Sequence, residues 1–321
     1  MKEIGGYIEL DKYNLPMLHE EAVRLNSARS CLAYLIESKG IKKIALPKFL
    51  CRVVSDICKR YKVDIRYYSI GLDFKPIKED IECESIDNEW FYLVNFYGQI
   101  SNSYMLEMKE RYEKLIVDNV QSYYQKPIEG VDTIYTCRKY FGVPDGAFLY
   151  TDKIIDRKLE RATSFERISH ILGRYENKAT EFYDEYKKCE EKFSVDDILE
   201  MSKLTYNLLH GIDYNLVRMQ RHKNYILLHE TLKNINKLKL AIIPDAPFMY
   251  PLYIENASEI RKKLIKENIF VPMLWPDILE VCQKNQLEYD LAENILPLPV
   301  DQRYTDKDMN YMIQKLMEKV Y

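Results

Sequence analysis

The chain has 321 residues, of which 47% are hydrophobic and 30% charged, and its net charge is −3. That length allows one large domain and one smaller one, and the near-balanced charge excludes a basic surface for nucleic acid. No apolar run approaches the roughly 20 residues that span a bilayer, so no membrane partner is expected. The opening MKEIGGYIELDKY lacks the apolar centre of a signal peptide. The seven cysteines are odd in number and none has CxxC spacing, which excludes a disulfide framework and a zinc site. A reducing, cytoplasmic setting is expected.

In chain order, SARSCLAYLIES has apolar residues at helical spacing, KKIAL reads as a strand, and LCRVVSDICKR is again helical. VDIRYYS and WFYLVNF read as strands, MLEMKERYEK as a helix, and KLIVD, DTIYTC and AFLYT as strands. This alternation predicts an α/β sheet, largely parallel, with helices on both faces. From about Lys153 to Lys237 the pattern is nearly all helical, and EFYDEYKKCEEKF reads as a solvated helix face. The rest is mixed: FMYPLYI and NIFVPML as strands, ASEIRKKLIKE and TDKDMNYMIQKLMEKV as helices, with PDAPF a rigid turn. The expected division is a large domain over 1–210 and a small α+β domain over 211–321.

In open α/β sheets ligands bind beyond the carboxyl ends of the strands, so residues there carry the most information. Asp118 stands where LIVD stops, with Gln121 three residues on; it can face a ligand or simply cap a turn. Lys139 follows DTIYTC, and Gly142, Pro144 and Gly146 prevent a helix there. A lysine partly desolvated near the sheet loses preference for its charged form, as a Schiff-base amine requires; a surface lysine in a hairpin is the plain alternative. Asn26 or Ser27 can cap a helix beginning near Ala28, whose free N–H groups suit an anion such as phosphate. A phosphate seat, a carboxylate and an amine, in that order, suit pyridoxal 5′-phosphate (PLP), whose ring serves as an electron sink.

These segments resemble the DegT/StrS family of PLP-dependent sugar aminotransferases, over nearly the whole chain. NSARSCL is similar to the family's phosphate segment, LPKFLC to the strand-to-helix segment that stacks on the ring, and VNFYGQ to the strand ending beside the site. IVDNVQS matches its Asp-x-x-Gln element and TCRKYFGVPDGA the segment of its Schiff-base lysine. MSKLTYNLL, RMQRHKNY, VPMLWP and LPVDQRY follow in the family's order.

The resemblance implies PLP-dependent transferase fold type I: a large, mostly parallel sheet domain plus a small C-terminal α+β domain. It implies Lys139 as the catalytic lysine, Asp118 against the pyridine nitrogen and Gln121 near the ring hydroxyl. Ser27, Ala28 and Arg29 would cradle the phosphate. Thr136 would replace the family's phosphate-binding serine, or Arg138 would compensate for it. Cys51 falls at the ring-stacking position, with Phe49 the substitute. The Asn-x-Arg-Met motif that reaches the phosphate across the family's dimer is reduced here to Met201-Ser202.

The implied partners are an amino donor (glutamate by analogy), a keto group on a nucleotide-linked sugar, and a second copy in a homodimer. A diverged PLP-fold dimer serving as a binding or regulatory protein is the alternative. A sugar dehydratase with histidine in place of the lysine is a third, and Lys139 speaks against it. Arg303 could bind a substrate carboxylate or pair with Asp301 or Asp306. Trp275 reads as small-domain core rather than substrate mouth, and Cys137 as buried strand packing. The five histidines are scattered, and no metal site is expected.

Overall fold

The computed structural model describes residues 4–82 and 88–320; Cys83 of the cysteine count lies outside them. The first part of the chain runs β1 (Val23–Leu25), α1 (Ala28–Lys39), β2 (Lys43–Pro47), α2 (Arg52–Arg60), β3 (Asp64–Tyr68), α3 (Lys78–Glu82), β4 (Glu89–Val94), α4 (Asn102–Arg111), β5 (Leu115–Asp118), β6 (Asp132–Thr136) and β7 (Ala147–Tyr150). Then come α5 (Ser169–Glu176), α6 (Tyr183–Val195), α7 (Lys203–Leu209), α8 (Tyr214–Leu232), β8 (Met249–Tyr253), α9 (Ala257–Lys266), α10 (Ile278–Val281), α11 (Leu287–Asn294), β9 (Ile295–Pro299) and α12 (Asp306–Val320).

Seven strands form one sheet in the order β1-β7-β6-β5-β4-β2-β3. The pairings from β6 through β3 are parallel, and β7 runs antiparallel to both its neighbours. Six strands therefore point one way and one points back. The centre of the sheet is continuously apolar because helices cover both faces. Ile44, Leu46, Phe91, Leu93, Ile116, Ile134 and Leu149 are all buried, and α1 adds Leu32 and Leu35. A second core gathers α8, α9 and α12 on the two-stranded β8–β9 sheet, through Leu228, Leu252, Leu264, Leu298 and Leu316. A third cluster is aromatic: Tyr123, Tyr135, Tyr140, Phe148 and Tyr214 pack together. Among the described residues no helix is long and apolar enough to cross a membrane.

Two expectations fail locally. NIFVPML forms no strand. Its Ile269 and Val271 are buried in the second core, while Pro272 has no N–H for a ladder. The partner of β8 is instead ILPLP, whose Pro297 stands opposite Pro251. A two-stranded sheet leaves each strand an unpaired edge, where prolines are tolerated. Residues 153–164 are irregular rather than helical: this stretch is held in extended form against Glu200, with Ala162 N–H donating to Glu200 C=O at 2.9 Å and Glu200 N–H to Glu160 C=O at 2.8 Å.

The turn between β6 and β7 is closed by Gly146, whose N–H donates to Asn26 C=O at 2.7 Å. Its φ of +113° belongs to glycine, and an added Cβ would lie 2.9 Å from Thr205 Cγ2. Gly146→Ala is expected to destabilise the fold by roughly 1–3 kcal/mol. The measurement is a urea titration; an unchanged midpoint would refute this account of the turn.

Candidate active site

The strand register sets the floor. Val94 pairs with Asp118, and Asp118 with Ile134, so the carboxyl ends of β4, β5 and β6 finish side by side. Asp118 is the last residue of β5 and only 4% exposed. Its Oδ2 accepts from the Tyr92 hydroxyl at 2.8 Å, and its Oδ1 from Val120 N–H at 2.9 Å. Burial raises the Asp118 pKa, against the opposing influence of the Lys139 charge and these two hydrogen bonds.

Lys139 lies three residues beyond the end of β6, on a connection that does join antiparallel strands. It nevertheless turns inward. Buried Cys137 and Tyr140 flank it, and the turn is tied by Cys137 N–H to Gly146 C=O at 3.1 Å and by Tyr140 N–H to Cys137 C=O at 2.9 Å. Lys139 Nζ makes no hydrogen bond or ion pair among the described residues; it sits 5.4 Å from the ring centre of Phe248. Burial lowers its pKa, and the Asp118 carboxylate pulls the other way.

Both groups line one cavity of about 370 Å³, within the range of ligand sites. Ser27, Ala28 and Arg29 line it from the start of α1, Cys51 from the start of α2, and Gln121, Thr136 and Arg138 from the strand ends. Ser27 is the N-cap of α1, its Oγ accepting from Ser30 N–H at 3.1 Å. That leaves the first N–H groups of a twelve-residue helix toward the cavity end. Gln121 is held by its Oε1, which accepts from Tyr97 N–H at 2.8 Å.

Two of the residues expected at the site lie outside this cavity. The Phe49 ring is fully buried edge-on to Trp275, with 4.7 Å between ring centres, so it has no face for a ligand. Arg303 forks onto Asp301, with Nε to Oδ1 at 2.6 Å and Nη2 to Oδ2 at 2.9 Å. The local ion pair therefore prevails over a substrate role in this conformation. Met201 is core, and Ser202 caps α7 and donates through Oγ to buried Asp145 at 2.8 Å.

Other residues line the cavity without having been anticipated. Phe248, Met273 and Leu274 reach it from irregular segments; Trp275, read as small-domain core rather than substrate mouth, lines the cavity while also packing on Phe49 and Phe96. Tyr186 and Glu190 line it from α6, the helix read as a solvated face. Glu190 pairs with Arg138 and lies 3.4 Å from Arg29 Nη2. Their spacing of one helical turn on a charged helix was the only available signal, and it is shared by ordinary surface helices. A larger groove of about 610 Å³ runs along β1 and the 154–161 segment, but none of the expected site residues lines it.

No protein-family model matches the chain, and no curated protein matches it in sequence. Solved structures do match it. The DegT DnrJ EryC1 StrS aminotransferase from Brucella abortus superposes with a TM-score of 0.65 at 14% identity, over 93% of this chain and 85% of that one. The sugar aminotransferase CalS13 from Micromonospora echinospora gives 0.63 at 11%, over 92% and 87%. NtdA from Bacillus subtilis, solved with bound cofactor PMP, gives 0.66 at 14%, over 92% and 72%. The fold is that of the sugar aminotransferases. At these identities the likeness is one of fold, fold type I of the PLP-dependent transferases.

The arrangement is chemically suited to an aromatic phosphate with a ring nitrogen and an aldehyde. The start of α1 offers orphan N–H donors, and Arg29 Nε is buried with no hydrogen-bond partner. Asp118 offers a buried acid and Lys139 an uncommitted amine. Because the Asp118 charge supports the protonated form of Lys139, Asp118→Asn is expected to lower the Lys139 pKa further. Acylation of Lys139 followed by peptide mass spectrometry should then reach half-extent at a lower pH than in the unmodified sequence. A midpoint that stays put or rises would show that the two groups are not coupled.

Proposed function

We propose that this chain is a PLP-dependent aminotransferase that moves an amino group from an amino acid, glutamate, to a keto group of a nucleotide-linked sugar. One observation carries the reading: a buried acid at the end of β5 and an uncommitted, partly desolvated lysine after β6 share one hollow with the start of α1. The sugar-aminotransferase fold supports the substrate class.

When bound, PLP supplies an electron sink for the carbanion formed at the donor's α-carbon. The chain's residues do the rest. The α1 N–H groups and the Arg29 and Arg138 guanidiniums would bind the phosphate. Asp118, steadied by Tyr92 and Val120, would keep a proton on the ring nitrogen. Gln121, which lines the same cavity, would approach the ring hydroxyl. Thr136, which also lines the cavity, would offer its hydroxyl to the phosphate. Lys139 would anchor the cofactor, and its neutral amine, once freed, would be the group that moves the proton at the donor α-carbon. Burial favours that neutral amine.

We take residues 1–210 as the cofactor-binding domain and 211–321 as the smaller one. The active form in this reading is a homodimer. Ile4, Tyr7 and Ile8 support it, since each leaves more than nine-tenths of its surface exposed and a second copy would cover such apolar area.

The test is spectroscopic. Purified protein incubated with PLP should absorb between about 320 and 450 nm, the range of PLP bound through an amine, and borohydride should fix the cofactor on Lys139. L-Glutamate should bleach the long-wavelength band, and a keto-sugar nucleotide should restore it. Lys139→Ala is expected to abolish covalent fixation and to lower turnover by about 10²-fold or more. Full fixation in that variant would remove Lys139 from its role. A bound cofactor that never responds to an amino donor would turn the reading toward the binding protein.

A further inference from the structure

The cavity's phosphate end already holds an anion from the chain itself. Glu190, on α6, places one carboxylate oxygen on the Arg138 guanidinium and the other 3.4 Å from Arg29 Nη2. Burial pushes its carboxyl up, but the two arginine charges prevail and hold it below the ordinary range. Arg138 is packed from behind by the Phe193 ring, 4.2 Å from its Cζ, and Phe193 also stacks on Arg167. Arg167 is forked onto Asp196, and Asp196 accepts from Asn26 Nδ2 at 3.3 Å. The end of α6 is thereby fastened to the residue before the α1 cap. Tyr186, one turn before Glu190, lines the same cavity.

This arrangement is electrostatically unsuited to receiving a phosphate dianion unchanged. The two guanidiniums and the α1 N-terminus favour an anion, but Glu190 consumes part of that field and would face the incoming charge at close range. The site is also under-used by Glu190: Arg29 Nε remains buried without a partner, and a carboxylate has two acceptor oxygens where a phosphate has three. We infer that Glu190 is an internal stand-in for the cofactor's phosphate: its carboxylate occupies the two-arginine seat in the free protein, and the phosphate must displace it from Arg29 and Arg138 in order to bind. Glu190 therefore sets cofactor affinity through the phosphate alone. This rests on the PLP reading of the cavity.

The test compares PLP with pyridoxal, which lacks the phosphate. Both are titrated by absorbance, in phosphate-free buffer, into the wild-type protein and into Glu190→Gln, which keeps shape and removes charge. The variant is expected to bind PLP about fivefold or more tightly than wild type, roughly 1 kcal/mol, with pyridoxal affinity changed less than about twofold. Inorganic phosphate should compete with PLP at lower concentration on the variant. Glu190→Ala, an excellent helix former at an interior position, should shift PLP in the same direction and covers the case of a misfolded Gln variant. PLP binding that is unchanged or weaker in these variants overturns the inference, since Glu190 would then be neutral or a supporting member of the seat. Equal binding of PLP and pyridoxal by the wild type, with no competition from phosphate, overturns the seat itself. Covalent fixation that survives Lys139→Ala is a separate failure, of the amine assignment.

Discussion

Two opposite charges share the end of one sheet, the acid buried and the amine half-buried, and the surroundings act on both. Burial pushes Asp118 and Lys139 both toward neutrality, because each ion loses its water. Their mutual attraction opposes this equally for both. The hydrogen bonds break the symmetry. Asp118 accepts from Tyr92 and from Val120 N–H, both of which favour the carboxylate. Lys139 Nζ has no such partner among the described residues. Asp118 thus has two contacts that favour its carboxylate against the burial that raises its pKa, while burial leaves an amine that gives up its proton more readily than a surface lysine. That division is what a pyridinium partner and a nucleophilic amine respectively need.

Topology brings the three parts together. The acid and the amine come from neighbouring parallel strands, so their carboxyl ends coincide without further instruction. The start of α1 has a longer way to come, since β1 lies two strands beyond β6, past the reversed β7. The bond from Gly146 N–H to Asn26 C=O closes that gap. It ties the turn that presents Lys139 to the residue just before the Ser27 cap. A glycine there permits both the positive φ and the close approach of Thr205, and this explains why the turn needs glycine where it needs nothing special of Gly142.

Much of this was legible in the sequence, for identifiable reasons. Strands β2 through β7 are short β-branched or aromatic runs flanked by breakers, and a buried parallel sheet needs nothing subtler. Asp118, Gln121 and Lys139 stand at strand ends, where position alone suggests a ligand. The rest depended on pairings that no local pattern encodes. Arg138 and Glu190 are 52 positions apart, and a helix with this charge pattern gives no sign of which side meets another part of the chain. Arg303 was ambiguous because Asp301, only two residues away, satisfies the guanidinium locally. NIFVPML has the composition of a strand, but Pro272 lacks a ladder N–H and the partner of β8 is ILPLP. β1, three residues long, is too short for periodicity to register.

The wall opposite the sheet is set by a different buried cation. Arg221, 1% exposed, has only neutral partners in direct contact among the described residues: its guanidinium donates to Gln302 Oε1 at 2.9 Å, Pro247 C=O at 3.1 Å, Phe248 C=O at 3.4 Å and Tyr140 C=O at 3.1 Å. It also stacks on the Tyr140 ring, 4.4 Å away. Its charge is spread over three chain segments instead of being cancelled by one carboxylate, and burial lowers its pKa as that predicts. Those segments hold Tyr140, the neighbour of Lys139, and Phe248, whose ring faces the Lys139 amine. Five N–H donors in a rigid plane can hold several carbonyls in fixed relative positions at once, which an ammonium on a flexible stem does poorly. The distance between the amine and the aromatic wall is therefore controlled from behind, by a residue that does not line the cavity. The PDAPF turn is held at its end by this guanidinium, through the Pro247 and Phe248 carbonyls.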